Sequence, residues 1–190
     1  PLFDVSRNGM SSNVEDYIIH NLERFNEIPE KRPVHEEISG RRQMEKYEGA
    51  FVFEPVPGMY ENIAVFDFTS SYGTTIVTYN LSKSTFLGEN NKDKDSHNII
   101  LEGKEVHFSK KPGFFPEMLK EIIEKRKKYK HELQEKPDVI KKARSNAFKL
   151  LANASYGYQG FFGARYYCRE AAAATAAFAK KMIKEVIEKI

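Results

Sequence analysis

The sequence predicts an α+β fold, and three observations carry that expectation. Strand-like segments rich in apolar and β-branched residues gather between residues 50 and 108. From Pro116 onward the apolar period becomes helical and stays so. With 41% hydrophobic and 30% charged residues, the 190-residue chain can bury a core as one domain or two small lobes, which excludes wholesale disorder and collagen-like repeats.

The first helix is expected after Ser12, where Glu15 completes a capping box and Val14, Ile18, Leu22 and Phe25 form an apolar stripe. Residues 27–48 are polar and proline-punctuated, a connector with room for a short helix. AFVFEP at 50–55 and ENIAVFDF at 61–68 read as strands across a Pro57-Gly58 turn, the second apolar enough for a buried strand. TTIVTYNL at 74–81 is strand-like in its β-branched content but follows a turn closely. GENNKDKDSHN at 88–98 reads as a surface loop, and NIILEGKEVHF at 98–108 as a hairpin turning at Glu102-Gly103.

Two helices follow. Leu119, Ile122, Ile123, Tyr129 and Leu133 mark one face of the first, which ends near Pro137. The second starts near Asp138, carries Val139, Ala143, Ala147, Leu151 and Ala154, and ends at Tyr156-Gly157. So short a turn makes the pair an antiparallel hairpin. A last, alanine-rich helix runs from about Arg169.

Charge is unevenly distributed. Residues 110–149 hold 13 Lys or Arg against 6 Asp or Glu, whereas the rest of the chain is mildly acidic. Such a segment is either a polyanion contact or a solvated helical face. One cysteine, Cys168, excludes an internal disulfide and a multi-cysteine zinc site, which fits a reducing, intracellular compartment. No apolar run is long enough for a membrane helix, so no membrane partner is expected. The chain opens on Pro1 without a leader pattern and reads as a piece of something longer. The five histidines show no ligand spacing, and no P-loop, nucleophile elbow or dinucleotide fingerprint occurs.

Candidate chemistry concentrates in the hairpin. Arg126 and Lys130 lie four apart, and Lys142, Lys149, Asn153 and Tyr156 follow at spacings of seven, four and three, so each set shares a helix face. Two such faces either surround a triphosphate or are simply hydrated. Asp67 closes the apolar run IAVFDF ahead of a tight turn. An acid there either ligates a metal or caps the turn with its own side chain.

Five ordered segments resemble the family B DNA polymerases, most closely their archaeal members. DFTSSYGTTI at 67–76 is similar to motif A, D-x-x-S-L-Y-P-S-I-I, and KLLANASYGYQG at 149–160 to motif B, K-x-x-x-N-S-x-Y-G. YEGAFV at 47–52 resembles the upstream Y-x-G-G/A element, PGFFPEML at 112–119 the lead into the fingers, and GARYYCREAA at 163–172 the palm segment after motif B.

The resemblance implies a palm, an antiparallel sheet packed on helices, with a two-helix fingers insertion. It divides the chain into an N-terminal helix and connector (1–45), a first palm part with motif A (46–113), the fingers hairpin (114–153) and a second palm part (154–190). It implies an enzyme, or a segment or subunit of one, that adds dNTPs to a primer 3′-hydroxyl on a DNA template with two Mg²⁺ ions. Asp67 would ligate the metals with the Phe68 carbonyl. Ser70 with the Ser71 and Tyr72 amides would hold the triphosphate, and Tyr72 would exclude a 2′-hydroxyl. Arg126, Lys130, Lys149 and Asn153 would grip the phosphates on closure. Tyr156 and Gly157 would pack against the nascent base pair, and Tyr47 with Gly49 would contact the template. The partners implied are primer–template DNA, dNTPs and the remaining polymerase domains, in the cytoplasm of a prokaryote or archaeon.

Several positions depart from the pattern. Ser71 replaces Leu, Gly73 replaces Pro, Thr74 and Thr75 replace Ser and Ile, and Ala154 replaces Ser. Gly73 is expected to loosen a turn, and Thr75 to put a hydroxyl at an apolar position. Motif C, Y-x-D-T-D-S, carries the family's second metal-binding carboxylate and is expected beyond Ile190. Asp93-Lys94-Asp95-Ser96 imitates its spelling but precedes motif B in a polar tract. The chain alone is therefore expected not to polymerise. One alternative is a split enzyme completed by a partner; another is a non-catalytic nucleic-acid-binding module on a polymerase scaffold.

Overall fold

The computed structural model describes residues 2–44, 46–89 and 95–189. Its elements, in order, are helices α1 (Leu2–Arg7), α2 (Met10–Asn21), α3 (His35–Gln43) and α4 (Ser71–Tyr79), strands β1 (Phe86–Glu89), β2 (Ser96–Leu101) and β3 (Lys104–Ser109), then α5 (Phe114–Glu135), α6 (Val139–Gln159) and α7 (Arg169–Ile187). The fold mixes α and β, as expected. The three strands form one antiparallel sheet in the order β1-β3-β2.

Two apolar clusters hold it together. In the larger, α2 contributes Val14 and Ile18, the 3-10 turn that follows it (Leu22–Phe25) contributes Leu22, and α5 contributes Phe115, Met118, Leu119 and Ile122, all in one cluster with Ile76 of α4. Of the stripes expected there, Val14, Ile18, Leu22, Leu119, Ile122 and Ile123 are buried, and Phe25, Tyr129 and Leu133 are half-buried. In the smaller cluster, Val106 and Phe108 of β3 rest on Ala171, Ala174 and Phe178 of α7. Alanines on that face let the sheet approach the helix closely. Tyr79 bridges the layers by stacking on Phe178 at 3.7 Å between ring centroids.

The hairpin turns at Glu102-Gly103 as expected, with φ of 52° and 83°. Two consecutive positive values make a type I′ turn, where glycine at the second position removes most of the strain. Helix α6 starts beside Asp138, as expected, and Asp138 caps it by accepting from the Lys141 amide at 2.8 Å.

Elsewhere the structure corrects the sequence reading. Helix α2 starts at Met10, not after Ser12, so no capping box forms there. Glu15 turns inward instead: its carboxylate pairs with the Arg165 guanidinium at 3.0 Å and accepts from the Tyr158 hydroxyl at 2.9 Å. Residues 50–55 and 61–68 form no strand, and Val65 and Phe66 are 87% and 83% exposed. An apolar run becomes a strand only where neighbouring strands satisfy its amides, and the described residues provide none beside it. Residues 71–79 are helical despite their β-branched content, because α5, α6 and α7 all pack on α4. Of the loop expected at 88–98, residues 90–94 lie outside the described residues, and its flanks belong to β1 and β2.

Helix α6 continues past Tyr156-Gly157 to Gln159. Its inward face carries Ser145, Phe148, Ala152 and Ser155, while Val139, Ala143 and Ala147 are exposed. Alanine tolerates either side of a helix, so its spacing says little about burial. The Asn80 side chain is turned inward: its amide donates to the Ser109 and Lys111 carbonyls, both at 2.6 Å, and accepts from the Gly113 amide at 3.0 Å. Asn80 thereby clamps the end of α4 to the start of α5.

Cys168 is the N-cap of α7, its sulfur accepting from the Ala171 amide at 3.4 Å. Burial pushes its thiol up to about 12. A disulfide-exchange reagent at about pH 8 should leave it unmodified in the folded chain and label it once denatured. Labelling at the rate of a free thiol would contradict this burial.

A candidate nucleotide-binding and metal-binding site

The site assembles where α4, α5 and α6 meet. The turn after Asp67 brings Ser70 into the left-handed region, with φ 53°. The Ser70 carbonyl then accepts the first helical bond of α4 from the Thr74 amide at 2.9 Å, and the Thr74 hydroxyl donates back to the Thr69 carbonyl at 3.1 Å. The Ser70 hydroxyl accepts from the Arg126 guanidinium of α5 at 2.7 Å. A hydrogen bond to a charged donor joins residues 56 positions apart and fixes the start of α4 against the helical hairpin.

The departures from motif A find places in this geometry. Gly73 does not loosen a turn: it lies buried in the first turn of α4, where a Cβ would stand 3.3 Å from the Ile123 side chain. Its absence lets α4 and α5 approach closely. Thr75 is buried, and its hydroxyl donates to the Ser71 carbonyl at 2.9 Å, so it strands no polar group.

On the other side of Ser70, Tyr72 stacks on Tyr156 of α6, with centroids 4.4 Å apart and rings inclined by 13°. The Tyr156 hydroxyl lies 3.4 Å from that of Tyr47. Burial, with the Tyr47 contact behind it, pushes the Tyr156 phenol well above its usual range and keeps it protonated. Tyr47, Ser70, Tyr72, Arg126 and Tyr156 thus converge from four parts of the chain. Neither the Arg126–Ser70 bond nor the tyrosine contacts carry a signal in the sequence, since each joins residues far apart along the chain.

The other predicted residues lie on the same elements or on the segments leading into them. Asp67 and Phe68 are exposed in the segment leading into α4, and Ser71 opens that helix half-buried. Lys130 is exposed on α5; Lys149, Asn153 and Gly157 are exposed on α6. Gly49 lies apart, lining with Tyr47 a groove of about 730 Å³ between α7 and β2. Among the described residues no group of three or more His, Cys, Asp or Glu side chains is placed to hold a metal ion. The Asp67 carboxylate and the Phe68 carbonyl are hard oxygen donors of the kind Mg²⁺ takes, so they fit part of such a site.

The comparisons agree with the motifs. The model of the family described as DNA polymerase family B matches residues 2–190. A DNA polymerase 1 of Pyrococcus abyssi is 36% identical over 188 residues, covering 96% of this chain and 24% of that protein. A DNA polymerase of Thermococcus gorgonarius is 34% identical over 193 residues, covering 100% of this chain and 24% of that protein. The solved structure of the family B DNA polymerase from the hyperthermophilic archaeon Pyrobaculum calidifontis superposes with a TM-score of 0.75 at 33% identity, over 100% of this chain and 25% of that one. The chain thus spans about a quarter of the length of the relatives it matches. By family model, sequence and fold, it belongs to DNA polymerase family B and corresponds to a segment of the archaeal type.

Proposed function

We propose that this chain is the nucleotide-binding portion of a DNA-dependent DNA polymerase, with residues 46–113 and 154–190 as palm and 114–153 as fingers. The observation that carries the reading is the Arg126–Ser70 bond, which brings a cationic residue of the helical hairpin onto the motif A turn beside Asp67.

In this reading the whole enzyme directs the primer 3′-hydroxyl onto the α-phosphorus of a dNTP paired with a DNA template, and pyrophosphate leaves. The exposed Lys130 and Lys149, with Arg126, face the triphosphate and neutralise charge spread over its oxygens, and the exposed Asn153 donates its amide to them. Ser70 and the amides of Ser71 and Tyr72 receive the phosphates at the start of α4. The Tyr72 ring, held flat by its stack on Tyr156, lies against the sugar and leaves no room for a 2′-hydroxyl. Tyr156 and Gly157 bear on the nascent pair, and Tyr47 and Gly49 on the template. Asp67 and the Phe68 carbonyl would hold Mg²⁺, which when bound lowers the charge on the attacking and leaving oxygens.

A single carboxylate does not position two ions, so the reading includes a second acid supplied from outside these 190 residues. Primer extension tests it. The chain alone should show no Mg²⁺-dependent extension, whereas mixing it with a family B fragment carrying the remaining palm and thumb should restore it. Extension by the chain alone would refute the need for a second acid. Salt-dependent primer–template binding without dNTP-dependent tightening would favour the non-catalytic module instead.

A further inference from the structure

The outer half of the α5–α6 hairpin, residues 127–144, lies beyond the site and carries seven Lys or Arg against three Asp or Glu. Each of those acids is engaged within the hairpin. Glu132 bonds Lys141 at 2.8 Å, Glu135 lies 3.7 Å from the His131 ring, and Asp138 caps the Lys141 amide. The cationic surplus is therefore not neutralised locally, and Lys127, Lys128 and Lys136 are exposed.

The first turn of α6 adds the opposite chemistry. Val139 is 86% exposed and Ile140 65%, two branched apolar side chains amid cations. Behind them the hairpin is stiffened by aromatic packing: Tyr129 stacks on Phe148, centroids 5.9 Å apart, and the Arg144 guanidinium lies over the Tyr129 ring. A rigid tip that presents ammonium groups beside apolar side chains matches a polymer with an anionic backbone and flat apolar bases.

We propose that this tip is a second nucleic-acid contact, which holds the unpaired template strand ahead of the nucleotide site. The inference rests on the polymerase reading, which supplies the strand. From Arg126 to Glu135 is nine residues of helix, so the tip reaches about 14 Å beyond Arg126. Lys127, Lys128 and Lys136 meet phosphates, and Val139 and Ile140 lie against bases.

The 190-residue chain with fluorescent primer–templates tests this. A template overhang of about eight nucleotides should bind about tenfold more tightly than one of about one nucleotide. Lys127→Ala, Lys128→Ala and Lys136→Ala together should remove that advantage and lower the salt slope on the long overhang by about 2. Val139→Ser with Ile140→Ser should weaken only the long-overhang substrate, by a few-fold, with its salt slope unchanged. Binding of both substrates that is indifferent to overhang and variants overturns the tip contact and leaves the polymerase reading intact. Capture by phosphatidylserine vesicles without overhang dependence overturns it in favour of a lipid surface. Binding to neither substrate overturns the tip contact, whereas the polymerase reading stands or falls on extension restored by the complementary fragment.

Discussion

Asp67→Ala should reduce primer extension by about 1000-fold or more in a polymerase reconstituted from this chain and a complementary family B fragment, because it removes a metal-ligating carboxylate. The side chain is exposed and lies outside both apolar clusters, so the fold should tolerate its loss. Thermal unfolding and primer–template affinity should therefore match the parent chain while turnover collapses. This pattern separates a catalytic carboxylate from one that merely caps a turn: a capping role would lower stability and leave most of the rate. Extension within a few-fold of the parent would assign the metal to other residues.

Glu15→Ala should produce the largest loss of stability among the polar residues. This carboxylate holds the Arg165 guanidinium, the Arg165 amide at 3.4 Å and the Tyr158 hydroxyl, and Arg165 in turn donates to the Glu30 carbonyl at 2.8 Å. One buried acid thereby fastens α2 to the end of α6 and to the connector. Its removal leaves a largely buried cation and a buried phenol without their acceptor, at a cost of about 3 kcal/mol. For a chain of this size that corresponds to a midpoint lowered by about 10 °C, measurable by calorimetry. A double-mutant cycle with Arg165→Met should recover part of the loss.

The same network responds to alkali. Burial, then the neighbouring carboxylate, pushes the Tyr158 phenol above its ordinary value of 10. A raised folded-state value means that the neutral form is favoured by folding. Its stabilising contribution is full below about pH 10 and is lost as pH rises above it.

The hairpin was the most legible part of the fold because its signals are local. Pro137 and Asp138 mark the turn, and Leu119, Ile122 and Ile123 repeat at helical spacing. What failed was the inner face of α6. Ala143 and Ala147 fit either side of a helix, whereas Phe148 and Ser155 actually face inward. Helix α4 failed for a different reason: Thr74, Thr75, Ile76 and Val77 favour strands, but three helices around them impose the helical state. The run at 61–68 has the composition of a strand, yet pairing is decided by neighbours that composition does not contain.

Of the residues the motifs single out, the structure pairs Ser70 with Arg126 and Tyr72 with Tyr156. The sequence did not reveal that Ser70 and Arg126 bond to each other, since nothing between positions 70 and 126 encodes that approach. Nor did it place Tyr47 beside Tyr156.

The Ser70–Arg126 bond also makes the start of α4 and the middle of α5 thermodynamically linked. An anion that draws the guanidinium away competes with an existing acceptor, so its apparent affinity is discounted by the strength of that bond. Linkage is reciprocal: whatever loosens the turn at Ser70 frees Arg126 and raises anion affinity by the same factor. The turn at Ser70 and helix α5, coupled in this way, adjust together, and the sensitivity of one can be tuned by substitutions in the other.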